Sequence, residues 1–111
     1  MASESSKSLT LASRKEAMHD KHPLFPLGGL YCTPGAKAAL DKASADILSL
    51  IIRHATGDWA EMVEEDQQAN KQAIAEGSRV FSAYHLTTGV KLWIITEADR
   101  SATTLLLPDE Y

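Results

Sequence analysis

The spacing of apolar residues changes once along this chain, near Gly77, and this change constrains the fold more than any other feature. Before Gly77, apolar residues recur every three or four positions, as in helices with one buried face. After Gly77 they alternate with polar residues, as in strands with one buried face. Helices followed by strands predict an α+β domain, with about three helices packed on one face of a three- to four-stranded antiparallel sheet that forms a C-terminal β-meander.

Capping residues predict where each helix begins, and glycines predict where the last two end. The predicted helices span residues 34–42, 45–55 and 59–76. Thr33 caps the first helix and Ser44 caps the second. Asp58 and Glu61 have the spacing of a capping box, which predicts that the third helix begins near Trp59.

Three segments after Gly77 alternate as strands do, and they span residues 79–86, 90–97 and 102–107. The loop Thr87-Thr88-Gly89 predicts a hairpin between the first two. Pro108 ends the last strand. Leu30-Tyr31-Cys32, which precedes the helices, is a candidate for a fourth strand at the sheet edge.

Residues 1–22 are rich in Ser, Lys and Glu and show no sustained apolar period. Such a segment buries too little surface to offset the entropy of ordering it, so we expect a disordered tail followed by one folded domain over residues 24–111. We expect no membrane contact, because no apolar run approaches the length of a membrane span. Cys32 is the single cysteine, which excludes an internal disulfide and favours a cytoplasmic location.

The charge of the chain is acidic overall and uneven along its length. A net charge of −4 disfavours direct binding of nucleic acid, which requires a basic surface. One segment without Lys or Arg concentrates the carboxylates Asp58, Glu61, Glu64, Glu65 and Asp66. This segment is either a solvated helix face or an acidic patch that binds the basic surface of a partner protein.

The motifs that hold phosphates, dinucleotides, zinc or a nucleophilic serine are absent from the sequence. His19 and His22 have the spacing of metal ligands, but no second pair of ligands lies near them. The sequence therefore predicts no metal site and no cofactor.

Polar residues at inward-facing helix positions are candidates for a site or for a buried network. His54 lies beside the apolar stripe of the second helix, where it is either a core histidine with a satisfied ring or a general acid or base. Asp66 and Asn70 fall on the apolar face of the third helix, so we expect both to be shielded from solvent. Arg79 and Arg100 are their candidate partners.

The turn between the last two strands carries Glu97, Asp99 and Arg100. A solvated turn has no need of an arginine beside two carboxylates. The pattern therefore favours a clamp between Arg100 and a carboxylate, as part of a polar network with Asp66 and Asn70, or a functional site.

Five motifs occur together within residues 24–111: HATGDW, EEDQQAN, SRVFSAYHL, KLWIITEADRS and TTLLLPDEY. As a set they resemble a family of short bacterial proteins found near plasmid and phage genes and described as plasmid-related proteins or as subunits of type I restriction–modification methylases. The resemblance implies a setting in horizontally moving DNA but no activity, cofactor or catalytic residue. The methylase description does not fit this chain, which lacks the Asn-Pro-Pro-Tyr and Asp-Pro-Pro-Tyr motifs. A glycine often follows the Trp of GDW in the family, where this chain has Ala60.

Two functional hypotheses follow. The first is a non-enzymatic accessory protein of a mobile genetic element that contacts a host or plasmid macromolecule through the acidic segment, with Trp59 and Trp93 as candidate anchors. The second is a metal-independent ribonuclease, because the layout resembles that of barnase-like toxins. In that case Glu97 acts as base, His54 as acid, and Arg100 or Arg79 stabilises the phosphate. An open sheet edge would also allow a homodimer.

Overall fold

The computed structural model describes residues 22–111, so nearly all of the predicted tail lies outside the described residues. The described chain forms three helices and a four-stranded sheet, which confirms the α+β class. In chain order the elements are β1 (Gly29–Cys32), α1 (Pro34–Lys42), α2 (Ile47–Thr56), α3 (Glu64–Glu76), β2 (Val80–His85), β3 (Lys91–Thr96), β4 (Ala102–Leu106) and a 3-10 helix (Pro108–Glu110).

The sheet has the order β1-β4-β3-β2 and is mixed. Strands β2, β3 and β4 form the predicted antiparallel meander, and β1 joins it as a fourth strand at one edge. This strand runs parallel to β4, which corrects the expectation of a purely antiparallel sheet. Parallel neighbours need a long crossover, and the three helices together with β2 and β3 separate β1 from β4 along the chain.

The first helix has the predicted bounds, but the second begins later than predicted. The carboxylate of Asp46, and not the hydroxyl of Ser44, accepts a hydrogen bond from the Ser49 amide at 3.2 Å and caps α2. Ser44 has a φ of 51° and therefore lies in the turn that precedes the cap. Gly57 ends α2 in the left-handed conformation, as predicted.

The third helix begins at Glu64 and not near Trp59. The predicted capping box does not form, because Asp58 and Glu61 both bind the side chain of Arg53. Trp59 turns into the core and is 2% exposed, so residues 59–62 follow an irregular path. Gly77 ends the helix in the left-handed conformation, as predicted.

The core lies between the helices and one face of the sheet, where the predicted alternation holds. Val80, Ser82, Tyr84 and Leu86 are all buried. A larger cluster joins α1 and α2 to the strands through Leu40, Ile51, Tyr84, Leu92, Ile94 and Leu105. A smaller cluster joins α3 and the chain before it to the sheet through Phe25, Trp59, Met62, Ala73 and Val80.

Candidate functional site

His54 is fully buried, and both of its ring nitrogens have hydroxyl partners. Nδ1 lies 2.5 Å from Ser82 Oγ and Nε2 lies 2.8 Å from Thr96 Oγ1. Thr96 Oγ1 is 2.7 Å from Thr103 Oγ1, which donates to the Leu27 carbonyl oxygen at 2.7 Å. We call this chain of contacts the His54 network.

The Leu27 carbonyl determines the direction of the hydrogen bonds from Thr103 back to His54 Nε2. Because Thr103 donates its proton to Leu27, Thr103 Oγ1 must accept from Thr96. Thr96 Oγ1 then accepts from His54 Nε2–H. Because burial disfavours the charged ring, the imidazole is neutral with its proton on Nε2, and Nδ1 accepts from Ser82 Oγ.

The environment of His54 does not suit acid or base catalysis. Burial lowers the pKa of His54 from 6.5 to about 4, so the ring stays neutral near pH 7. A general acid must reach the substrate, whereas this side chain is 0% exposed. The network therefore has a structural role, in which α2 is joined to β2, β3 and β4.

The turn after β3 binds main-chain carbonyls and does not form the predicted clamp. The Arg100 guanidinium donates to the carbonyl oxygens of Ser78 at 2.6 Å, Glu97 at 3.1 Å and Ala73 at 3.3 Å. The Asp99 carboxylate instead accepts from the Ser101 amide. The partial negative charge at the C-terminal end of α3, to which Ala73 belongs, favours a cation at this position.

Asn70 and Asp66, predicted to be shielded neighbours, have different environments. Asn70 is 4% exposed and binds both main-chain groups of Phe81: its Nδ2 donates to the carbonyl at 2.6 Å and its Oδ1 accepts from the amide at 3.0 Å. Asp66 is exposed in the first turn of α3, so the expectation that it is shielded was wrong. The two residues do not share a network with Asp99 or Arg100.

The candidate catalytic residues do not converge on a single cleft. His54 is enclosed between α2 and the sheet, and Glu97 is exposed in the turn after β3. Arg79 lies over the ring of Tyr111, with 5.5 Å from its Cζ to the ring centroid. Arg100 binds the end of α3. This arrangement gives the ribonuclease hypothesis no geometric support.

The acidic segment is divided into two parts. Arg53 Nε lies 2.9 Å from Asp58 Oδ2, and Arg53 Nη1 lies 3.1 Å from Glu61 Oε2. Glu61 Oε1 also accepts from the His85 amide at 2.7 Å, and hydrogen bonds from His85 and Arg53 lower the pKa of Glu61 although its burial opposes this. Asp58 and Glu61 are therefore part of the folded structure rather than free for a partner.

Glu64, Glu65 and Asp66 form the exposed part of the segment, and we call them the acidic turn. They occupy the first turn of α3, where the N-cap residue Val63 provides no side-chain hydrogen bond. Carboxylates at this position compensate the exposed amides of the helix N-terminus. All three nevertheless project into solvent.

A cleft of about 260 Å³ adjoins the acidic turn, on the sheet face opposite His54. Met62, Val63 and Asp66 line one side, and the side chains of β2 and β3 line the other. Trp93 is partly exposed there and contacts Phe81 edge to face, with 4.9 Å between the ring centroids. Val63 is 63% exposed. The cleft therefore combines apolar walls with an acidic border, to which Lys91 adds one cation.

Sequence reasoning missed several residues that organise this region. Ser82, Thr96 and Thr103 are buried polar residues of the strands, and their inward positions in the alternation were the available signal. Arg53 was missed because its carboxylate partners are five and eight residues further along the chain, which is not a helical spacing. Trp59, a candidate anchor, is in the core.

Comparison of the chain with protein-family models, with curated proteins and with solved structures found no match. Within residues 22–111, no group of three His, Cys, Asp or Glu side chains is placed to hold a metal ion. None of the helices described here is long and apolar enough to cross a membrane. The geometry of the site is thus the basis for a functional proposal.

Proposed function

We propose that this protein is a non-enzymatic binding module that recognises a basic segment of a partner protein. The observation that carries the proposal is the position of the acidic turn beside the cleft walled by Val63 and Trp93. Carboxylates attract Lys and Arg side chains and orient the partner, and an apolar cleft accepts one anchoring side chain. The resemblance of its motifs supports a setting in mobile genetic elements, with a host or plasmid protein as the partner.

The chemistry of the cleft defines the partner segment. Asp66 lines the cleft on the α3 side, with Glu64 and Glu65 in the same helical turn, so the partner segment should carry Lys or Arg there. The partly exposed edge of Trp93 and the exposed Val63 favour an aliphatic or aromatic side chain between the cations. Binding should weaken as salt concentration rises, because the carboxylates are exposed and screened.

Tryptophan fluorescence, titrated with synthetic peptides, tests the proposal, because Trp93 is partly exposed at the cleft and Trp59 is buried in the core. A peptide of alternating Lys and Phe should perturb the emission, whereas its Glu and Phe counterpart should not. Glu64→Lys, Glu65→Lys and Asp66→Lys together should abolish the response. Lysine substitutions at Glu76, Glu97 and Asp109, which are also exposed, change the net charge equally and serve as the matched control.

The Val63→Ser substitution should change the stability of the fold and the affinity for the peptide in opposite directions. Val63→Ser places a preferred capping residue at the start of α3, so the free energy of unfolding should rise by about 1 kcal/mol. The same change removes an exposed apolar wall of the cleft and should weaken peptide binding about tenfold. Equal binding by the wild type, the acidic-turn variant and Val63→Ser would refute the proposed function.

A further inference from the structure

The outward backbone groups at the two edges of the sheet differ in whether side chains bind them. At the β2 edge, Asn70 binds the main-chain amide and carbonyl of Phe81, and Glu61 binds the amide of His85. Side chains thus occupy backbone groups that would otherwise be open to another strand. At the β1 edge every residue of the strand is exposed, including Leu30 at 53% and Tyr31 at 59%.

The pairing of β1 with β4 shows which backbone groups face outward. The amides of Gly29 and Thr33 donate to the Ser101 and Leu105 carbonyls on the β4 side, each at 3.0 Å. In a parallel ladder, alternate residues direct both main-chain groups to the same neighbour. Tyr31 therefore faces β4, whereas the amides and carbonyls of Leu30 and Cys32 point away from the sheet.

We propose that β1 pairs with β1 of a second copy of this chain, antiparallel and with Tyr31 on the twofold axis. Leu30 then lies opposite Cys32 of the second copy, and the reverse pair is equivalent. The four outward groups of each strand form four hydrogen bonds between the copies. The two sheets become one continuous sheet, and the exposed Leu30 and Tyr31 side chains pack across the axis.

The residues that flank β1 disfavour the two neighbouring registers of this antiparallel pairing. A shift that places Cys32 opposite its own copy brings Leu30 against Pro34, which has no amide to donate. The opposite shift brings Cys32 against Gly28, whose φ of 68° departs from strand geometry. The register centred on Tyr31 is the one in which all outward groups meet a strand partner.

The shortness of this edge favours a second copy over a flexible peptide. Only Leu30 and Cys32 offer outward groups, so any added strand gains few hydrogen bonds. A disordered peptide must lose chain entropy to form them, whereas β1 of a second copy is already ordered by β4. The strand has no charged residue, so its pairing places no like charges directly opposite each other. This edge is opposite the one beside the acidic turn, so the inference does not depend on the proposed function.

The register can be read from disulfide formation in a Cys32→Ser background. Tyr31→Cys places two thiols on a non-hydrogen-bonded pair with Cα atoms about 4.5 Å apart, within disulfide range. Leu30→Cys, and the native Cys32, lie two positions from their own copy and should crosslink weakly. Tyr111→Cys, at a similarly exposed site, is the control. Preferential crosslinking at position 31 supports the proposal, and crosslinking equal to that of the control overturns it.

Sedimentation equilibrium of the full chain, from about 1 μM to about 1 mM, tests the association itself. The apparent mass should approach that of a dimer, and Leu30→Pro should keep the protein monomeric. That change removes an outward donor but no hydrogen bond to β4, so the fold should persist by circular dichroism. A dimer that survives Leu30→Pro overturns the proposal, as does a chain that stays monomeric throughout. Hydrogen exchange provides a further test. If the Leu30 and Cys32 amides were protected from exchange only after a foreign peptide is added, the edge would bind a peptide and the dimer proposal would be overturned.

Discussion

Arg100 combines an unfavourable backbone conformation with favourable side-chain contacts. Its φ of 61° lies in the left-handed region, which β-carbon atoms disfavour. Its guanidinium binds three main-chain carbonyls and lies over the ring of Phe25. The contacts outweigh the strain because they join the turn between β3 and β4 to the C-terminal end of α3.

Two substitutions at Arg100 separate these effects. Arg100→Ala removes the contacts and keeps the strain, so the free energy of unfolding in urea should fall by about 2 kcal/mol. Arg100→Gly removes both, and should be more stable than Arg100→Ala by about 1 kcal/mol. Arg79→Ala, at an exposed arginine that stacks on Tyr111, should change stability little. An alanine variant as stable as the glycine variant would contradict this explanation.

At the scale of elements, α3 protects the sheet edge as well as packing against it. The Asn70 amide provides one donor and one acceptor to Phe81, as a neighbouring strand would. This explains how a largely polar helix is held in place with Ala73 as its buried apolar residue. At the outer side of β2, both main-chain groups of Phe81 and the amide of His85 are already occupied, which disfavours a further strand there.

Asn70→Ala should therefore destabilise the protein and promote aggregation. Two partly buried main-chain groups lose their partners, which should cost about 2 kcal/mol in the free energy of unfolding. The opened edge should then pair with other molecules, measurable as light scattering below the unfolding transition. Gln68→Ala, at an exposed position of the same helix, provides the control and should leave both measurements unchanged.

At the scale of the whole molecule, the His54 network connects one helix to three strands and to the chain before β1. A second proton on the ring would sit on Nδ1, where Ser82 Oγ would have to turn from donor to acceptor. Acid should therefore destabilise the fold through this one residue. The pKa of His54 is about 4 when folded and takes its ordinary value of 6.5 when unfolded.

The sign of the pH dependence follows from these two values. Between pH 4 and 6.5 the unfolded chain binds more protons at this site, so stability rises with pH in this window. The contribution is complete above pH 6.5 and is lost as pH falls toward 4, by about 3 kcal/mol in total. Urea unfolding at intervals across the window should show this loss. In His54→Gln the corresponding slope should be absent.

Local signals in the sequence predicted the parts of the fold that local interactions determine. The start of α1 follows from Thr33 and Pro34, and the ends of α2 and α3 follow from Gly57 and Gly77. The predicted start of α3 was wrong because it depends on a contact between two different elements. Asp58 was assigned to a cap within its own helix, but Arg53 of the preceding helix binds its carboxylate.

By itself, the sequence determined the α+β class, the meander and its buried face, because each depends on the spacing of apolar residues along the chain. Only the tertiary structure decided the parallel pairing of β1, the burial of His54 among Ser82, Thr96 and Thr103, and the exposure of the acidic turn beside the Trp93 cleft. Each of these joins residues far apart in the chain. The sequence does not show whether a polar side chain contacts water or a hydroxyl group of another strand. Its partner depends on which distant residues the fold brings next to it.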